Sequence, residues 1–82
     1  IMSKVYVVIS DSIIQSHESH GLHGVYSTES KATSTAIAVI TSIAKRHYHN
    51  ITASDICVDD LEFSYQSDNL EVYVSCIEQE VF

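Results

Sequence analysis

The second half of the chain alternates. Leu61, Phe63 and Tyr65 stand at every other position, Ser67-Asp68-Asn69 interrupts, and Leu70, Val72, Val74 and Cys76 resume the same step. Side chains of a β-strand point to opposite faces in turn, so this spacing predicts two strands, Ile56 to Gln66 and Leu70 to Ile77, each burying one face. Pairing Tyr65 with Leu70 sets Phe63 against Val72 and Leu61 against Val74 on the buried side. Glu62, Ser64, Glu71, Tyr73 and Ser75 then take the solvent side. Val58 is out of phase with Leu61, which predicts a bulge at Asp59-Asp60.

The first half supplies a strand and a helix. Val5-Tyr6-Val7-Val8-Ile9 is a continuous β-branched and aromatic run, the pattern of an interior strand. His17 to Gly24 reads as a polar turn, with Gly21 the natural place for positive φ, and Val25-Tyr26 as a short second strand. Ser27-Thr28-Glu29 is a helix start, because a hydroxyl can accept from the free amides and an early Glu suits the positive end of the dipole. Ala32, Ala36, Val39, Ile40, Ile43, Ala44 and His47 then fall on one helical stripe, with Lys45 and Arg46 in the last turn. Many of the intervening residues are β-branched, which opposes a helix weakly; burial of one apolar face outweighs that cost. The expected fold class is α+β, a four-stranded antiparallel sheet in ββαββ order with one helix on one face, as a single domain over residues 1–82.

Composition narrows the function classes. With 45% apolar residues, no proline and two glycines, the chain is neither disordered nor a loop-rich disulfide scaffold. The two cysteines, Cys57 and Cys76, are too few for a secreted framework; they share strand parity and are expected as buried free thiols. No apolar run is long enough to span a membrane, and no basic-then-apolar leader precedes Met2, so the expected location is the cytoplasm, without membrane contact. Net charge is −7, which argues against direct nucleic-acid binding. The four fixed cations, Lys4, Lys31, Lys45 and Arg46, all precede His47. From His47 onward there are eight acids and no Lys or Arg: Asp55, Asp59, Asp60, Glu62, Asp68, Glu71, Glu78 and Glu80.

The order of elements, with Lys4-Val5-Tyr6-Val7-Val8 followed by Gly24-Val25-Tyr26-Ser27-Thr28 and an alanine-containing helix, resembles a loose class of short acidic ββαββ proteins, many of them phage-encoded. Several such proteins are host-takeover or anti-defence inhibitors, including anti-CRISPR and anti-restriction proteins. The likeness covers residues 4–44. It implies a fold and a phage context, with the host cytoplasm as the place of action, and it carries over no functional residue.

No nucleophile elbow, phosphate loop, dinucleotide fingerprint or paired zinc-ligand motif is present, so the expectation is a non-enzyme without cofactor. His17, His20 and His23 are three residues apart. On a turn they can converge on a metal; on a strand, residues three apart face opposite ways. His47 is expected to pack as a cap residue and His49 to be exposed. The acidic C-terminal hairpin has two readings. One is a solvated edge kept soluble by charge. The other is a recognition face in which Asp59, Asp60, Glu62, Tyr65, Asp68, Glu71 and Tyr73 meet a basic protein surface. Tyrosines anchor at small entropic cost and carboxylates steer toward Lys and Arg. Such a face substitutes for a phosphate backbone, so the expected partner is a nucleic-acid-binding complex of a host defence system. The alternative is a small structural or regulatory homo-oligomer, a homodimer being one form, that pairs through an exposed sheet edge at Leu70 to Ile77, beside Val81-Phe82.

Overall fold

The computed structural model describes residues 3–81. Seven elements run in order: β1 (Ser3–Ile14), β2 (His17–Tyr26), α1 (Glu29–Arg46), a single 3-10 turn (Ala53–Asp55), β3 (Cys57–Asp59), β4 (Glu62–Ser67) and β5 (Leu70–Val81). All pairings are antiparallel, and the five strands lie in the order β2-β1-β5-β4-β3 with α1 on one face. The fold is therefore α+β with one helix, as the periodicities indicate, but with five strands instead of four.

The extra strand comes from Asp59-Asp60. Asp60 has φ 56, and Asp59 pairs with Glu62, so Asp60-Leu61 is a two-residue hairpin turn and not a bulge. Asp tolerates the left-handed region because its short carboxylate can bond locally. The fold-back turns Cys57 outward, so the expectation of two buried thiols holds only for Cys76; Cys57 is exposed.

The first hairpin is longer than its composition suggests. Ile14 pairs with His17 across Gln15-Ser16, whose φ values are 51 and 72. Two successive left-handed residues match the right-handed twist of the flanking strands. The segment His17 to Gly24 is thus an edge strand and not a loop. Gly21 does not supply the positive φ; Gly24 does, at 132. Val8 pairs with Gly24 and Ile9 with Leu22, which leaves His23 as an inserted bulge residue. A Cβ on Gly24 would lie 2.9 Å from the Tyr26 hydroxyl, which itself donates to the His23 carbonyl at 3.1 Å.

In the second hairpin Ser67 pairs with Leu70 and Tyr65 with Val72, so the turn is Asp68-Asn69 and the register lies two residues from the one expected. An even shift keeps every side chain on its face. Phe63, Leu70, Val72, Val74 and Cys76 are buried against α1, together with Val8 and Ile56. The strand β5 is central, paired on both sides, so Leu70 to Ile77 is not an edge; Phe82 lies outside the described residues.

The helix starts where a hydroxyl can cap it: Thr28 accepts from the Lys31 amide at 3.2 Å. It buries Ala32, Ala36, Ile40, Ile43 and Ala44; three alanines let the axis approach the sheet closely, and the Cys76 thiol donates to the Ala32 carbonyl at 3.6 Å. At its end the His49 amide donates to the Ala44 carbonyl and the Tyr48 amide to the Lys45 carbonyl, the paired bonds that close a helix around a left-handed residue. That residue is Tyr48, φ 65, where glycine is usual.

Candidate protein-docking face

One face of the sheet packs on α1 and the other has no covering element among the described residues. Odd-numbered residues of β1 and β5 share the open face. Val7 stands beside Ile77 on one side and Val25 on the other; Ile9 lies between Ser75 and Leu22. Further along, Asp11 lies between Tyr73 and His20, and Ile13 between Glu71 and Glu18. The face therefore divides across its length. One half is apolar, with Leu22 69%, Val25 57% and Ile77 45% exposed. The other half is acidic and centred on Tyr73.

Tyr73 is held on both sides. Its hydroxyl donates to Glu71 Oε1 at 2.7 Å and accepts from Gln66 Nε2 at 2.7 Å. The bond to Glu71 raises the phenol above its ordinary pKa, with desolvation and the Glu71 charge acting the same way and the bond from Gln66 opposing. The ring is therefore presented as a fixed neutral phenol beside carboxylates. Toward the β3 edge, Asp59 pairs with Glu62 and Glu62 with Ser75, around a hollow of about 370 Å³ that Tyr73, Ser64 and Cys57 also line. Toward the β2 edge, His20 Nε2 lies 2.8 Å from Glu18 Oε1, and its Nδ1 lies 3.5 Å from Asp11 Oδ1.

The seven residues singled out from the sequence do not form one cluster. Asp59, Glu62, Glu71 and Tyr73 share the open face. Asp60 and Asp68 sit in the turns at opposite ends of β4. Tyr65 is on the covered face, where its hydroxyl lies 3.0 Å from His49 Nδ1 and the two rings meet edge to face; His49 is half-buried and not free in solvent. Asp11 and Glu18 join the acidic half although they belong to the nearly neutral N-terminal half of the sequence. Asp11 lies beyond Ile9, where the expected first strand stops, and only the pairing of β1 with β5 puts it beside Tyr73. Among the described residues the one Lys or Arg ion pair is Lys4 Nζ to Glu78 Oε1 at 2.7 Å; the bond and charge of Glu78 raise the lysine pKa. It lies on the helix-side parity of β1 and β5, away from the acidic half.

The three histidines of β2 do not converge. His20 faces the open side, His17 the helix side, and the bulge turns His23 toward β1, where its Nε2 lies 2.6 Å from Ser10 Oγ. Ligand-type atoms of Asp11, Glu18 and His20 lie within 4.8 Å of one another, a different grouping from the expected one, and all three are at least partly exposed.

Among the described residues no helix is long and apolar enough to cross a membrane. No protein-family model matches the chain, and no curated protein and no solved structure matches it.

Proposed function

We propose that the chain is a non-enzymatic binding protein whose open sheet face docks on a basic protein surface, as a phage-derived inhibitor would on a host nucleic-acid-handling defence complex. The observation that supports this reading most is the acidic half around Tyr73. Glu18, Asp11, Glu71, Glu62 and Asp59 lie along it, and none pairs with a Lys or Arg among the described residues. Unneutralised carboxylates steer a positive partner in and gain most where that partner excludes water. The adjoining apolar half offers desolvation energy that a charged patch alone lacks. A basic cleft flanked by apolar side chains is the matching surface, and the carboxylates occupy it in place of phosphates.

The test is capture from native host lysate, identification of the retained protein, and measurement of its affinity across a salt series. Reversal of Asp11, Glu62 and Glu71 to Lys is expected to weaken binding by about tenfold or more per pair of reversals and to flatten the salt dependence. An affinity that ignores both salt and reversal overturns the reading.

A second reading is self-association, and the apolar half favours it: an exposed patch of Leu22, Val25, Ile77 and Ile9 is of the kind that marks an interface. Two copies stacked about a twofold axis bring those patches together, while the net charge of −7 on each copy opposes the approach. Sedimentation of a monomer at tens of micromolar in high salt, where repulsion is screened, rejects this reading.

A further inference from the structure

The acidic character of the chain is reversed in one place. On the helix-covered side, between β2, β1 and the C-terminal end of α1, the layers leave a cleft of about 240 Å³. Ser10, Ser12, Ser19, His23, Arg46 and His47 stand around it, and no carboxylate does. One of the four fixed cations of a −7 chain therefore faces a cleft lined by hydroxyls and imidazoles beside Ile14, Gly21 and Ile43.

The cleft is built from buried polar groups. Ser10 and Ser12 are 8% and 6% exposed, the buried polar residues of β1, both on the face that elsewhere carries Val8. Ser10 Oγ lies 2.6 Å from His23 Nε2. The Ser12 side chain borders the cleft beside it. Gly21 keeps the same spot clear: a Cβ there would come within 3.1 Å of His23 Nε2 and 3.2 Å of Ser10 Oγ. His23 is the inserted residue of the β2 bulge and stands beside Ser10.

We propose that this cleft binds a tetrahedral oxyanion, a phosphate group. Arg46 supplies the fixed charge and the forked donors that suit phosphate oxygens. With a proton on His23 Nε2, the imidazole donates to Ser10 Oγ, and the Ser10 hydroxyl hydrogen is free to donate to the anion. The Ser12 hydroxyl donates beside it. His23 and Arg46 also border an adjoining hollow against Thr35, Val39 and Ser42, of about 270 Å³. That hollow has room for the organic part of a phosphomonoester, so free phosphate and an esterified phosphate share the chemistry and differ in occupancy of the second space. The cleft opens on the helix side of the sheet and shares only His20, at the β2 edge, with the acidic half of the docking face, so a phosphate titration tests it apart from that reading.

The test is amide NMR of the full chain titrated with inorganic phosphate in one arm and phenyl phosphate in the other, at matched ionic strength with chloride as the control. Saturable shifts confined to Ser10, Ser12, Ser19, Gly21, His23 and Arg46 are expected. They extend to Thr35 and Val39 in the ester arm if an ester is the fitting form, and stay out of them in both arms if free phosphate is. Arg46→Gln, at an exposed position that leaves the core intact, is expected to weaken binding about tenfold. Ser12→Ala is expected to lose most of the stabilisation that phosphate confers on the parent. Absence of saturation in both arms, shifts scattered over the lysines, or equal affinity in Arg46→Gln overturns the proposal.

Discussion

The two faces of the sheet carry apolar residues to different ends. On the covered face Phe63, Val72, Val74 and Val8 are closed off by the alanines of α1; on the open face Leu22, Val25 and Ile77 have the same chemistry and no cover. The difference teaches that alternation specifies sidedness but not use. One side is spent on holding the fold, and the other remains available to an outside surface.

The comparison breaks most visibly at Phe63, 2% exposed. Phe63→Ala is expected to lose about 3–5 kcal/mol in urea unfolding, enough to threaten a domain of this size. A loss below about 1 kcal/mol would mean that the helix does not seal this face.

The two thiols sharpen the contrast next. Cys57 on the open side is expected to react with an aromatic disulfide reagent at once, and Cys76 only at the rate at which the core opens. Burial pushes the Cys76 thiol above its ordinary pKa, with the Glu29 charge adding to it. The unfolded chain then releases that proton first as pH rises. The Cys76 contribution is complete below the ordinary thiol range and falls as pH climbs toward the raised value. Cys76→Ala is expected to remove this alkaline slope from the unfolding curve.

Tyr48 belongs to neither face and serves as the control. Tyr48→Gly relieves a left-handed tyrosine that is 98% exposed, and a gain of about 0.5–1 kcal/mol is expected in the same unfolding assay. The smallest effects belong to the open face. Leu22→Ser and Glu71→Gln are each expected to change stability by less than about 0.5 kcal/mol. Glu71→Gln does return the Tyr73 phenol toward its ordinary pKa, read by tyrosinate absorbance, because the bond to the Glu71 carboxylate is the main cause of the rise. A large stability loss at Leu22 would assign the open face to folding.

The face assignment of β4 and β5 was legible because parity survives an even register error: Ser67, Asp68 and Asn69 are all turn formers, and composition alone does not say which two make the turn. β2 was illegible for a physical reason. It is an edge strand with one side in solvent, so it needs no apolar alternation, and pairing with β1 overrides the propensity of His17 to Gly24. Gln15-Ser16 carries no glycine or asparagine to announce its turn. Cys57 was misplaced because Asp59-Asp60 serves a bulge or a hairpin equally well. The parity of Glu62, Glu71 and Tyr73 was in the sequence; that of Asp59 was not, because it follows from the Asp60-Leu61 turn. The arrival of Asp11 and Glu18 beside them was not, since it depends on strand order across distant segments. The Ser10, Ser12 and His23 cleft depends on the pairing of β1 with the unforeseen edge strand β2.

The pairing of β1 with β5 runs from Ser3 against Val81 to Ile14 against Leu70. During synthesis the first strand therefore emerges long before its central neighbour and has only β2 and α1 for company. Its apolar side chains stay without their main partner until β5 leaves the ribosome. Such long-range closure slows folding, and it ties every layer of the molecule to β5. Loss of β5 removes the centre of the sheet, not a margin of it.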